Sequence, residues 1–223
     1  MTTTTSTPKA LAAFADGAPD TAHPSVSCLI KRSIDILGSF VGLFVLAIIL
    51  LPIAIAIKVE SPGPIFYSQL RHGLHGQQFR IWKFRSMVQN ADELKALVKN
   101  EVQGQIFKNE NDPRITRVGQ FLRRTSLDEF PQFWNVLKGD MSLVGTRPPT
   151  PDEVAKYEKH HWERLNVKPG ITGQWQVSGR SSIKDFEEVV ELDLLYQELW
   201  HPLYDVQLLF KTVLHLLSRS DAY

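Results

Sequence analysis

The run Ile36 to Ile57 reads ILGSFVGLFVLAIILLPIAIAI, 22 residues without a charged side chain. As a straight helix rising about 1.5 Å per residue it would reach roughly 33 Å. The hydrocarbon core of a bilayer is about 30 Å thick, so the run predicts a membrane helix. A buried core helix is the competing reading, but soluble core helices seldom stay uncharged for so long. Pro52 removes one helical hydrogen bond and clashes with the carbonyl four residues back, which favours a kink. A re-entrant path through one leaflet therefore stands beside a full span. Lys31, Arg32 and Asp35 precede the run and Lys58 and Glu60 follow it, so charge balance sets no orientation.

Outward from this run the chain divides into three. Residues 1 to 28 are rich in Thr, Ala, Pro and Ser with few large apolar side chains, a composition expected of a disordered tail. Residues 29 to 60 hold the hydrophobic helix. That helix starts too late, runs too long and lacks a small-residue cleavage site, so it is expected to stay in the mature chain. Residues 61 to 223 are enough for one domain with its own core and C-terminal amphipathic helices.

In that domain, Ser61-Pro62-Gly63-Pro64 is a turn signal. Ile65-Phe66-Tyr67 and Phe79 to Phe84 then read as strands joined through His72-Gly73-Leu74-His75-Gly76. Asp92 to Val102 reads as a helix capped by Asn90. Arg117 to Arg124, Ser126 to Leu137 and Pro151 to Leu165 read as further helices, and Ile183 to Leu217 as a long one interrupted at Pro202. The aromatics of that last segment (Phe186, Tyr196, Trp200, Tyr204, Phe210) suit the core better than a membrane interface. The expected fold class is α/β, mostly α with a few short strands, anchored by one N-terminal hydrophobic helix.

The net charge of +1 hides an asymmetry. Arg71 to Arg124 carries eleven Lys/Arg against five Asp/Glu, while Asp185 to Asp205 carries seven acids with only Lys184 beside them. The basic half is the half that should meet anions. Its arginines come in short motifs with glycine and proline, not as a helical stripe interleaved with aromatics, so nucleic acid is not the expected partner. Cys28 is the only cysteine, which rules out a disulfide framework or cysteine metal site and suits a reducing compartment.

The stretch Leu127-Asp128-Glu129-Phe130-Pro131 sits between that basic run and the turn Gly145-Thr146-Arg147-Pro148-Pro149. Ser126 is placed to cap a helix whose first turn holds Asp128 and Glu129, and acids there also complement the helix dipole. Adjacent helix positions diverge by about 100°, so the two carboxylates need separate tasks. An Asp can attack phosphorus to give an aspartyl-phosphate intermediate. Mg2+ needs only one or two carboxylates when substrate phosphates complete its shell, so Glu129 can suffice. Phosphoryl transfer also needs cations aimed at the developing charge. Arg147, on a stiff turn, can grip a phosphate with its planar fork. Lys83 and Arg85 share a strand face, and Arg114 and Arg117 a helical face. The glycine-punctuated segment Lys168 to Arg180 could line a nucleotide or sugar site through Gln176 and Arg180, or be a plain turn-rich connection. It is not a Walker loop, because the Gly-Lys-Ser/Thr ending is missing.

These motifs, in their order, resemble the bacterial sugar transferases, the monotopic polyprenyl-phosphate phosphoglycosyl transferases. The resemblance rests on Lys31-Arg32-Ser33-Ile34-Asp35, Lys83-Phe84-Arg85-Ser86-Met87, Asp112-Pro113-Arg114-Ile115-Thr116-Arg117 and Ser126-Leu127-Asp128-Glu129. Leu137 to Ser142, Gly145-Thr146-Arg147-Pro148 and Lys168 to Gly173 extend it. It implies that Asp128 attacks a nucleotide diphosphate sugar, typically a UDP-hexose, and passes the sugar phosphate to undecaprenyl phosphate. By the same resemblance Glu129 binds Mg2+ and Arg147 binds phosphate. The head would face the cytoplasm at the inner membrane and begin exopolysaccharide or related glycan synthesis.

Two positions depart from the family. Thr146 stands where a proline is usual, which should loosen the turn, and Pro52 comes later in the helix than the usual Ser-Pro break. A membrane-tethered scaffold that binds nucleotide sugar without turnover is the alternative reading, and a homo-oligomer stays open.

Overall fold

The computed structural model describes residues 22–98, 109, 111–179, 183 and 185–218. Helix α1, Pro24–Ser27, is short and lies inside the stretch expected to be a tail. It is tied down by His23, whose ring bonds the Gln197 carbonyl at 3.0 Å and packs edge-on against Trp200.

Helix α2, Leu29–Glu60, takes in the whole hydrophobic run and continues unbroken through Pro52. Its most apolar window has a mean hydropathy of 3.1 and is only 11% buried, and by length and composition the helix could cross a membrane. A soluble core helix would be covered. Here Phe40, Val41, Phe44, Ile48 and Leu51 form a contiguous exposed stripe, each more than half accessible, an arrangement that suits lipid and not water.

The opposite face of α2 lies along the head. Lys31, Asp35, Ser39, Gly42, Ile53 and Ile57 are buried there, so contact reaches both ends of the helix. A Cβ on Gly38 would sit 2.4 Å from Leu143, and one on Gly42 would sit 2.3 Å from the Phe133 ring. These small residues let the helix approach that closely.

The charges flanking the run are structural ties. Lys31 donates to Asp205 at 2.6 Å and to the Val144 carbonyl at 2.9 Å. Arg32 donates to the Val136 and Leu137 carbonyls, at a helix C-terminus where a cation complements the dipole. Asp35 accepts from the Ser142 hydroxyl and the Leu143 amide. At the far end, Glu60 accepts from the Arg117 and Val118 amides at 2.7 and 2.8 Å, capping the next helix.

The expected hairpin is present and longer on its first strand. Strands β1, Phe66–His72, and β2, Gln78–Phe84, pair antiparallel from Phe66 opposite Phe84 to His72 opposite Gln78. Helix α3, Arg117–Arg124, has the expected bounds and is capped by the Thr116 side chain. The helix expected over Asp92 to Val102 is described only in part, as a 3-10 turn at Glu93–Leu97; residues 99–108 lie outside the described residues.

Elsewhere the expected helices are broken. The Ser126 to Leu137 helix is instead a 3-10 turn, Leu127–Glu129, then helix α4, Gln132–Lys138, with Pro131 between them. Helix α5 stops after Pro151–Val154, and a 3-10 segment, Lys159–Asn166, follows. Strands β3, Ser142–Val144, and β4, Gly170–Thr172, form a parallel pair, so the glycine-punctuated segment is not merely a loop. Helix α6, Gln174–Val177, comes next. Helices α7, Phe186–Leu199, and α8, Pro202–Ser218, divide at Pro202 as expected.

The core gathers Ile81, Val136, Met141, Leu143, Val144, Val167, Tyr196 and Leu208. Phe186 and Tyr196 are buried as expected, but Phe210 is 64% exposed, and Leu203, Val213 and Leu217 stand out from α8 with it. That outer face is lipid-like, not core.

Candidate active site

Asp128 lies in the 3-10 turn and is 6% exposed. Ser126, just before it, adopts φ 55° and ψ 17°, the left-handed region that non-glycine residues enter at a cost. Its side chain makes no capping hydrogen bond to the turn. The left-handed residue and Pro131 bracket the two acids, so they sit on a fixed turn between helices. Asn135 then joins α4 to the hairpin, donating to the Arg80 carbonyl at 2.7 Å and accepting from the Trp82 amide at 3.2 Å.

That docking brings Lys83 of β2 to Glu129, with Nζ 2.9 Å from Oε1. Arg71 of β1 joins the same region, and sequence reasoning missed it. Its guanidinium donates to the Pro148 carbonyl and to Gln69. Burial, with Arg147 adding repulsion, pushes it down to about 10, and Glu153, Tyr67 and, least, Glu129 act on it in the opposite sense. The Arg–His strand end carries no motif signal; only the hairpin register shows that Arg71 shares a strand face with Lys83.

Arg147 forms a two-pronged ion pair with Glu153, at 2.9 and 3.0 Å. Glu153 also completes a capping box with Thr150 at the start of α5. The turn is not loosened by Thr146, which is buried and donates its hydroxyl to the Arg164 carbonyl at 3.1 Å. Gly145 permits the close approach of β4 there, since a Cβ would lie 2.1 Å from the Lys168 carbonyl.

Burial alone would raise the Glu153 carboxyl, but Arg147 outweighs it and holds the group below its ordinary 4.5. A carboxyl depressed by folding adds stability above its unfolded pKa, lost as pH falls through the folded value. Unfolding free energy should therefore drop between about pH 5 and 3 more steeply in the wild type than in Glu153→Gln. Equal slopes in a denaturant titration series would refute this role.

Two of the remaining predicted cations, Arg85 and Arg114, are engaged by the scaffold. Arg85 donates to the Ser61 and Pro62 carbonyls, both at 2.6 Å, clamping the exit from α2. Arg114 is buried in an ion pair with Asp112 at 2.6 Å and donates to the Ala91 carbonyl. Arg117 contributes its amide to Glu60 while its side chain is exposed. Gln176 donates to the Ile171 carbonyl at 2.9 Å and lines a groove beside Glu129. Arg180 lies outside the described residues.

Among the described residues, one group of three possible metal ligands comes together, His160, His161 and Glu187, and it includes neither Asp128 nor Glu129. His161 Nδ1 accepts from the Glu158 amide, so the ring proton is on Nε2 and donates to Glu187 at 2.8 Å. That tautomer suits a tie between two segments, not a metal ligand. Among the described residues the dyad belongs to no such group of three, and one or two carboxylates fit Mg2+ completed by substrate phosphates and water.

An apolar helix able by length and composition to cross a membrane thus carries a head in which Lys83 pairs with Glu129 beside the buried Asp128. Residues 26–219 match the model of the bacterial sugar transferases, and the chain belongs to that family. It is 49% identical over 194 residues to a galactosyl transferase, CpsE, of Streptococcus agalactiae, a match covering 86% of this chain and 43% of that protein. An undecaprenyl-phosphate galactose phosphotransferase of Salmonella typhimurium is 43% identical, over 88% of this chain and 42% of the relative. The exopolysaccharide production protein ExoY of Sinorhizobium fredii is 38% identical, over 82% of this chain and 83% of its own length. The chain thus spans about two fifths of the first two relatives and most of the third.

Proposed function

We propose that this chain is a phosphoglycosyl transferase that moves a sugar 1-phosphate from a nucleotide diphosphate sugar, UDP-hexose by class, to undecaprenyl phosphate. The observation that carries the reading is the fixed Asp128–Glu129 turn with Lys83 on Glu129. The relatives' names supply the acceptor and the donor chemistry.

In the first step an Asp128 carboxylate oxygen bonds to the sugar-bearing phosphorus. The bond from that phosphorus to the bridging oxygen breaks, and uridine monophosphate leaves with its electron pair. In the second step an oxygen of the lipid phosphate attacks the same phosphorus and Asp128 is released as a carboxylate. Lys83, Arg71 and Arg147 stabilise charge on the transferring group, and the buried turn keeps competing water away from Asp128. Glu129 would hold Mg2+, which when bound neutralises diphosphate charge.

Both ends of α2 are tied to one head, which favours a helix held within one leaflet over a full span. We place the head on the cytoplasmic face of the inner membrane, where it would begin exopolysaccharide or related glycan synthesis.

Arg147→Lys keeps the charge but loses the fork. Charged hydrogen bonds contribute about 1.5–3 kcal/mol, so turnover should fall roughly 10- to 100-fold with the protein still folded. An unchanged rate would remove Arg147 from the site.

The reaction itself is tested with detergent-purified protein, Mg2+, radiolabelled UDP-sugars and undecaprenyl phosphate. Labelled lipid with released monophosphate is expected for at least one sugar. Monophosphate without labelled lipid would make the protein a hydrolase, and no turnover across the panel would favour a binding scaffold.

A further inference from the structure

A groove of about 700 Å³ opens beside the catalytic turn, between α3, α4, α6 and α8. Its lining includes Arg124, Ser126 and Glu129 of the catalytic turn region and Val213 and Leu216 of α8. Its floor includes Phe133 and Leu143, the two side chains that pack on Gly42 and Gly38 of α2. The groove therefore joins Glu129 to the exposed side chains Val213 and Leu216 of α8, with two of its lining residues packed on α2.

The wall has little to offer a base or a sugar. Thr125 donates its hydroxyl to the Phe121 carbonyl at 2.8 Å, and Thr212 donates to the Leu208 carbonyl at 2.8 Å. Thr172 and Thr212 bond each other at 2.7 Å, and Gln176 donates to the Ile171 carbonyl. With these polar groups turned to internal partners, the lining is mostly apolar, and Arg124, Ser126, Glu129 and His215 are its remaining polar side chains. Arg124 is exposed at the rim on the dyad side, where an anionic head would sit.

Resting on the transferase reading, we propose that this groove seats the phosphate-proximal isoprene units of the polyprenyl phosphate acceptor. Arg124 meets the phosphate, and the remainder of the chain leaves across Val213 and Leu216 into the membrane. The arrangement presents the acceptor oxygen to the phosphorus on Asp128 while the tail never leaves lipid. It also makes α8 part of acceptor recognition and not only a membrane contact.

The test uses full-length protein in nanodiscs and a polyprenyl phosphate carrying a diazirine near its phosphate, with labelled peptides located by mass spectrometry. Label is expected on the peptides containing Phe121 to Phe133 and Leu209 to Leu216, competed by undecaprenyl phosphate. Val213 is 52% exposed, so Val213→Trp should fold, shown by an unchanged melting temperature, yet cut that labelling at least tenfold. Leu216→Trp, at 47% exposure, should act the same way. Label confined to the exposed stripe of α2, or undiminished in both variants, would overturn the proposal. Groove labelling without turnover would support the groove and sink the transferase reading, whereas turnover with label elsewhere would sink only the groove.

Discussion

Asp128→Asn is expected to lower turnover by at least a thousandfold, the scale on which nucleophile removal acts in covalent enzymes. Asn is nearly the same size, so the turn between Ser126 and Pro131 should keep its shape. Donor binding, by calorimetry or filter assay, should stay within a few-fold of wild type, because Lys83, Arg71, Arg147 and Glu129 are untouched. Glu129→Gln is a useful contrast. It leaves a nucleophile but removes the carboxylate that pairs with Lys83 at 2.9 Å, so its loss should shift with Mg2+ concentration. An Asp128→Asn protein with near-wild-type turnover would end the nucleophile assignment.

The largest stability effect is expected at a residue no motif points to. Asp193 and Arg164 are fully buried, and Arg164 donates to one Asp193 oxygen through Nε at 2.8 Å and Nη2 at 2.5 Å. Its third arm donates to the Tyr157 hydroxyl at 2.7 Å, and burial pushes that phenol up to about 12. Asp193→Ala strands a guanidinium in the core, a loss of roughly 3–5 kcal/mol. For a chain of this size that is a melting shift of about 10 °C. Replacing both partners by apolar residues should recover much of the loss, because the desolvated charge is removed with its partner. The damage should also reach the site, since Thr146 bonds the Arg164 carbonyl and Arg147 follows it. A single Ala variant within 1 kcal/mol of wild type would contradict the account, and that threshold lies below the cost expected of a stranded charge.

What was legible in the sequence follows from the range of the forces involved. The membrane helix, the β1–β2 hairpin, the bounds of α3 and the break at Pro202 are local, set by uncharged length, turn residues, a Thr cap and a proline. Strands β3 and β4 are three residues each and pair across the segment between Val144 and Gly170, so no local period marks them. The helix expected across Ser126 to Leu137 fails because Ser126 takes a left-handed conformation and Pro131 offers no amide.

The site was legible by type and less so by membership. Lys83 meets Glu129 next to Asp128, whereas the Arg147 fork is held by Glu153. Arg85 and Arg114 carry the same signal in sequence, but partners set by the tertiary fold, the Ser61 and Pro62 carbonyls and Asp112, take up their donors. Lys31 and Asp35 look like membrane-flanking charges in one dimension and are buried ties in three. Arg71, at a strand end without motif context, becomes visible only through the register that puts it on the strand face of Lys83.

The central claim is a covalent phosphosugar on Asp128. The direct measurement is peptide mass mapping of purified protein quenched after incubation with Mg2+ and the competent UDP-sugar in the absence of lipid acceptor. The account predicts a phosphohexose adduct on the peptide containing Asp128, absent from Asp128→Asn and discharged when undecaprenyl phosphate is added before quenching. Turnover of the lipid acceptor with no adduct on any peptide, and no dependence on Asp128, would contradict it.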